Sequence, residues 1–278
     1  MTVSDPGHVT PTFLTVGSGT AARRIACRHV PAKGTGDGQR PAVLWLSGFN
    51  STMDGTKVSA LAAHLTALGV GMTRFDYSGH GLSDGRFEDG TISGWLEETE
   101  AVVDRFGDGP LVVVGSSMGG WLALLLALED RGELGDRGAR GDRADRIAGL
   151  VLIAPAWDMT ERLMWASMPD DVRATVEANG VWHRPSRYGD DDYPITRRLI
   201  EDGRRHLLPA PPIPLRCPVT ILHSLDDPDV PAAGSITLAE RIGSDDVELQ
   251  LVKGAGHRLS RAEDITRLIE VVDRHLAR

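Results

Sequence analysis

Cysteine is scarce: Cys27 and Cys217 are the two in 278 residues. Two thiols supply neither a disulfide framework nor a four-ligand zinc site, and small free or buried thiols are expected. Positive charge is in deficit as well. Thirty Lys and Arg stand against thirty-nine Asp and Glu, a net charge of −9, which argues against a nucleic-acid binder with its basic face. Long apolar runs are missing too. The longest, Trp121–Leu128, falls far short of the roughly 18 residues that a membrane-spanning helix needs. Residues Met1–Gly7 show no basic region followed by an apolar stretch, so no export signal is expected and the expected location is cytoplasmic.

What is present is ordinary for a globular chain, with 41% hydrophobic and 25% charged residues. A protein of this length buries roughly three quarters of its unfolded surface, so its core needs no staples. Short, nearly continuous apolar runs at 42–46, 71–75, 111–114, 150–153, 219–222 and 247–252 are bounded by Gly or Pro. Strands buried on both faces of a parallel sheet read this way. Helical stretches fall between them, at roughly 54–68, 92–106, 118–129, 235–242 and 261–276. In the last, Ile265, Leu268, Ile269, Val272 and Leu276 follow helical spacing. The alternation predicts an α/β domain with helices on both faces. Segments 12–16 and 24–30 are expected to form an antiparallel edge hairpin, joined to the sheet by a Gly-rich turn at 34–38.

Two interruptions stand out. Residues 130–146 are Gly-rich, mixed in charge and nearly free of apolar residues, as expected of an exposed loop. The gap of about 60 residues between the runs at 150–153 and 219–222 is several times an ordinary connection. It is rich in aromatic and Met residues, including Trp157, Met159, Leu163, Met164, Trp165, Met168, Trp182 and Tyr193. A small helical cap is expected at about 156–212, inserted in a single domain spanning 1–278. Trp157, Trp165 and Trp182 are its expected substrate-binding residues.

The most specific signal is Gly115-Ser116-Ser117-Met118-Gly119, a G-x-S-x-G placed between a strand and a helix. In that context a tight turn lifts the central hydroxyl above the sheet edge. The helix that follows aims its N-terminal N–H groups at a developing oxyanion. Ser117 is therefore the expected nucleophile. A serine needs a base, and the base needs an orienting acid. The run at 219–222 leads into a loop holding Asp226, Asp227 and Asp229, and spacing alone does not choose among them. The run at 247–252 leads through a Gly turn to His257, the expected base. His223 precedes the acids, His64 and His275 lie on helices, and His183 and His206 fall in the cap. Oxyanion donors are expected from the Met118 N–H and from the Phe49 N–H in the loop after 42–46, where Gly48 allows close approach.

With these residues in place, the chain resembles the α/β-hydrolase superfamily from about Pro41 to its C-terminus. Asp76-Tyr-Ser-Gly-His-Gly-Leu-Ser83 is similar to the family's Asp-x-x-Gly-x-Gly-x-Ser loop, and His223–Pro231 to its His-Gly-x-x-Asp-x-x-Val-Pro signature. The second resemblance implies Asp227 as the acid. The family resemblance implies a mostly parallel eight-stranded sheet and no cofactor, and no His/Asp/Glu cluster shows metal-ligand spacing, so no metal is expected. Segments 48–57, 75–79, 115–121 and 180–182 are similar, more narrowly, to the palmitoyl-protein thioesterase and acyl-glucuronide esterase subgroup. That resemblance implies hydrolysis of a small-molecule acyl ester or thioester. Ser47, Ser116 and Ser224 depart from the general pattern, where His, His and Gly are usual.

Alternatives remain at this level: acyl transfer to an alcohol or thiol on the same triad, or a non-catalytic protein that binds an acyl ligand. Dehalogenases and epoxide hydrolases use a carboxylate nucleophile, and this elbow carries Ser117. His80 is expected to brace its loop. The cap arginines, Arg184, Arg187, Arg197, Arg198, Arg204 and Arg205, read mainly as a solvated face, helped by i,i+4 pairing through Glu201. Composition does not specify an oligomeric state.

Overall fold

The computed structural model describes residues 9–33, 40–107, 109–130, 146–185 and 192–278. The Gly-rich turn at 34–38 and nearly all of the mixed-charge segment 130–146 lie outside them. An eight-stranded sheet forms from β1 (Thr12–Val16), β2 (Arg23–Val30), β3 (Ala42–Leu46), β4 (Met72–Phe75), β5 (Leu111–Ser116), β6 (Ile147–Ile153), β9 (Val219–Ser224) and β10 (Val247–Val252). Their spatial order is β1-β2-β4-β3-β5-β6-β9-β10. Every pairing from β4 to β10 is parallel, whereas β1 and β2 form the antiparallel edge. Both strands of the expected hairpin are therefore present.

Alternation along the strands sets the two faces, because neighbouring side chains point to opposite sides. Leu44, Leu46, Val113, Leu150, Leu152 and Ile221 pack on one side, under α2 (Ile92–Phe106) and α3 (Met118–Asp130). Val43, Trp45, Val112, Val114, Val151 and Ile153 pack on the other, under α1 (Thr56–Leu68) and α7 (Ala262–Leu276). Each fully buried aliphatic side chain contributes about 1.5–3 kcal/mol relative to exposure. Helix α3 is apolar almost all round, and Trp121 through Leu128 are all buried, as a central helix requires. By contrast, α7 is amphipathic: it buries Leu268, Val271 and Val272. Among the described residues, no helix is long and apolar enough to cross a membrane.

Between β6 and β9 the chain leaves the sheet. It makes a π-helical turn at Thr160–Met164, α4 (Asp170–Asn179), β7 (Val181–Arg184), β8 (Tyr193–Thr196) and α5 (Arg197–Gly203). Beside the helices expected of a small cap, β7 and β8 pair as a two-stranded antiparallel sheet. Val181, Trp182, Tyr193 and Ile195 are β-branched or aromatic, residue types suited to a pleated surface. The excursion is anchored on α2. The Asp202 carboxylate accepts from the Ser93 N–H and hydroxyl, both at 2.8 Å. The remainder of the chain adds α6 (Ala233–Arg241) between β9 and β10.

Candidate active site

The carboxyl ends of β3, β5, β9 and β10 open on one edge of the sheet, where open α/β sheets bind ligands. Ser117 follows β5 directly and has φ 54°, a left-handed conformation unfavourable for a residue with a side chain. Its backbone is held from both directions. The Ser117 N–H donates to Ile153 O at 2.8 Å, and Ser117 O accepts from Gly120 N at 2.9 Å and Ala156 N at 3.0 Å. Close packing explains one glycine of the motif: a Cβ on Gly119 would stand 2.1 Å from the Leu46 carbonyl oxygen. The strand, the strained turn and the helix thus lift the Ser117 hydroxyl to the rim.

Two loops meet that hydroxyl. His257 Nε2 lies 3.1 Å from Ser117 Oγ, and His257 Nδ1 lies 2.7 Å from Asp227 Oδ2. The Asp227 side chain has no exposed surface, and that of His257 is 17% exposed. Asp227 Oδ1 also accepts from the Asp229 and Val230 N–H groups at 2.8 and 2.9 Å. Burial pushes the Asp227 carboxyl up, but hydrogen bonds from His223 and His257 outweigh it and hold the group well below the usual carboxylate range. It is an anion built to face an imidazole.

His223, fully buried, completes this arrangement. Its Nε2 sits 2.9 Å from Val230 O and 3.2 Å from Asp227 Oδ2. Both neighbours are acceptors, so Nε2 carries the proton and Nδ1 accepts from the Ser235 hydroxyl at 2.6 Å. The other aspartates do different work. Asp226 is exposed, and its Oδ1 accepts from Ser224 Oγ at 2.7 Å and Gly254 N at 2.8 Å, tying the β9 loop to the β10 loop. Thus Ser224, where the family pattern has Gly, gains a partner of its own.

The loop after β3 supplies the facing wall. Asn50, at φ 52°, donates its N–H to His80 Nε2 at 3.1 Å. His80 Nδ1 in turn donates to Ser78 O at 3.1 Å. Burial lowers the His80 pKa to about 4, so the ring stays neutral and keeps Nε2 as an acceptor. Asp76 accepts from the Met53 N–H at 2.7 Å and the Leu82 N–H at 2.9 Å. His80 is therefore a brace, as expected, and acts on the Gly48–Asn50 loop. Among the described residues, the Phe49 and Met118 N–H groups donate to no protein acceptor. Phe49 lines the cavity, and Met118 opens α3.

A cavity of about 220 Å³ surrounds Ser117 and His257. Ala156, Met159, Leu163, Met164, Tyr193 and Val230 supply its apolar wall. The expected tryptophans are corrected at this point, since none of the three lines it. Trp157 is buried, donates its indole N–H to Gly234 O at 2.9 Å, and stacks 3.3 Å from the Arg162 guanidinium carbon. Trp165 lies between Arg173 and Arg204, 5.8 and 5.1 Å from its ring centre. Trp182, on β7, packs against the core. An indole joins a large apolar face to an N–H donor, and in Trp157 both are taken up by the protein. Their neighbours Met159, Leu163 and Met164 take the lining role, a distinction of direction that composition does not carry.

Among the cap arginines in the described residues, Arg184 alone reaches the cavity. Arg197, Arg204 and Arg205 pair with Glu201, Glu161 and Asp202, and Arg187 lies outside the described residues. Asp227, Asp229 and His257 place one ligand-type atom each within 4.8 Å of one another. Two of these atoms, Asp227 Oδ2 and His257 Nδ1, are hydrogen-bonded to each other at 2.7 Å.

Comparison with known proteins places the chain in a family. Residues 43–268 match the alpha/beta hydrolase family. Over 237 residues the chain is 34% identical to the human mitochondrial palmitoyl-protein thioesterase ABHD10, covering 85% of this chain and 73% of that one. A solved structure from Agrobacterium vitis S4, described as a hydrolase, shares 42% identity and a TM-score of 0.89, with 97% and 99% of the two chains covered. Mouse alpha/beta hydrolase domain-containing protein 10 superposes with a TM-score of 0.78 at 31% identity, covering 96% and 98%. The chain belongs to the alpha/beta hydrolase family.

Proposed function

We propose that this protein is a serine hydrolase that cleaves carboxylic esters or acyl thioesters through an acyl-enzyme. The observation that carries the reading is the continuous contact from Ser117 Oγ through His257 to Asp227, at 3.1 and 2.7 Å. In the reaction, His257 Nε2 takes the Ser117 proton as Oγ attacks the acyl carbon. The imidazolium formed is stabilised by Asp227, and the negative oxygen of the tetrahedral intermediate is held by the Phe49 and Met118 N–H groups. Loss of one such donor costs roughly 3–4 kcal/mol. The imidazolium then gives its proton to the departing alcohol or thiol. Water, deprotonated by the same ring, releases the acid and restores Ser117.

The acyl group would occupy the wall formed by Met159, Leu163 and Met164, with the excursion acting as a cap. A volume of about 220 Å³ lies below the roughly 300–1,000 Å³ typical of drug-sized sites. It adjoins a second cavity of about 350 Å³, so volume alone sets no chain-length limit, and acyl groups on either oxygen or sulfur are the expected substrates. The relationship to a palmitoyl-protein thioesterase supports the thioester arm.

The test is a kcat/KM series from acetyl to palmitoyl, run on oxygen esters, thioesters and an acyl glucuronide, for wild type and Ser117→Ala. The expected result is turnover of esters or thioesters that vanishes in Ser117→Ala, with the chain-length optimum read from the series. Saturable binding without turnover across the panel would instead indicate an acyl-ligand binder. Ester products formed with a competing alcohol would indicate acyl transfer.

A further inference from the structure

Two of the departures from the family pattern lie side by side. Ser47 and Ser116 stand where histidines are usual, and both line a second cavity of about 350 Å³. That cavity adjoins the first through Gly48, Asn50, Ser51, Lys57, Ser116 and Arg258. Ser47 is fully used within its own strand and loop: its Oγ accepts from Trp45 Nε1 at 3.1 Å and donates to Thr52 O at 3.3 Å. Ser116 is used differently. Its small side chain leaves room for Lys57, from the first turn of α1, whose Nζ reaches Ser116 Oγ at 3.3 Å. The same Nζ donates to the carbonyl oxygen of Arg258.

These two partners flank the two reacting side chains. Ser116 precedes Ser117, and Arg258 follows His257. We propose that Lys57 is a positioning residue, whose ammonium ties the nucleophile turn to the His257 loop and sets the Ser117–His257 distance. The proposal rests on the reading of Ser117 and His257 given above.

Charge is part of the tie. Bonds from an ammonium are roughly twice as strong as those from a neutral donor. Among the described residues no carboxylate forms an ion pair with Lys57. Desolvation, joined by repulsion from Arg258, lowers its pKa to about 8, against the attraction of Asp264 and Asp227. Since the group is charged below that value and neutral above it, the tie is at full strength at pH 7 and weakens as pH rises past about 8.

The experiment measures kcat and KM for a short-chain ester from pH 6 to 10, on the full chain, for wild type, Lys57→Met and Lys57→Arg. Small displacements of reacting groups cost up to about 100-fold. Lys57→Met is expected to lose about 10- to 100-fold in kcat, with KM little changed, and to lack the alkaline fall of wild type. Lys57→Arg is expected to recover most of kcat at pH 7 and to move the fall to higher pH. Ser116→Ala combined with Lys57→Met should cost little more than Lys57→Met alone, as expected for members of one network. Wild-type kcat in Lys57→Met, or an alkaline fall unchanged in both variants, overturns the proposal. If Lys57→Met fails to fold, as judged by thermal unfolding, the Lys57→Arg profile decides alone. Turnover by Ser117→Ala would defeat the underlying reading instead, and this proposal with it.

Discussion

Four N–H groups converge on the Asp227 carboxylate: two from the backbone of its own loop, one from His223 and one from His257. A charged acceptor suits all four, whereas an amide turns donors toward donors. Asp227→Asn is expected to lower kcat by roughly 10³–10⁴, chiefly by favouring the wrong His257 tautomer. Asp226→Asn, at an exposed position, keeps an oxygen for Ser224 and Gly254 and should leave kcat within a few-fold. Steady-state kinetics on both variants checks the pair, and a larger loss in Asp226→Asn would contradict the assignment. Spacing left these aspartates unresolved because loop hydrogen bonding, not position along the chain, distinguishes them. Ser117 and His257 were legible for a simpler reason. Each follows an apolar strand closely, so the strand's end already determines where its side chain emerges.

At the scale of elements, the sheet and its helices were readable because buried strands and amphipathic helices carry periodicity. Strands β3 and β10 occupy the expected 42–46 and 247–252. The excursion between β6 and β9 was less readable. Among the described residues its two short strands pair with each other only, and Trp157 and Trp165 pack against arginines while Trp182 packs against the core. Nothing in a list of aromatic residues says which way they face. What fixes the excursion is polar: Asp202 accepts twice from Ser93 near the start of α2, while Arg205 Nη2 pairs with Asp202 Oδ1 at 2.5 Å. The Asp202 side chain is 10% exposed, and removing such an acceptor leaves donors unsatisfied, at up to about 1–3 kcal/mol where they are buried. Asp202→Ala is accordingly expected to hasten limited proteolysis within 156–212 and to raise KM more than it lowers kcat. Cleavage and KM both equal to wild type would contradict this role for Asp202.

At the scale of the whole molecule, two hydrophobic layers hold the sheet rigid while polar loops at one edge carry the chemistry. Among the described residues, left-handed backbone at non-glycine positions falls in the loops that follow strands: Asn50, Ser117, Ala154, Asp158 and Leu259. Ser117, at φ 54°, and Asn50, at φ 52°, are held by backbone and His80 contacts. This division explains why three side chains separated by up to 140 positions can meet at one rim. Ser47 and Ser116 line the adjoining cavity, where Lys57 Nζ reaches Ser116 Oγ. The most direct measurement of the central claim is intact-protein mass spectrometry after treatment with a fluorophosphonate, followed by peptide mapping. The account predicts one adduct, on Ser117, formed rapidly in wild type, slowly in His257→Ala and not at all in Ser117→Ala. An adduct on another residue, or equal labelling of Ser117→Ala and wild type, would contradict it.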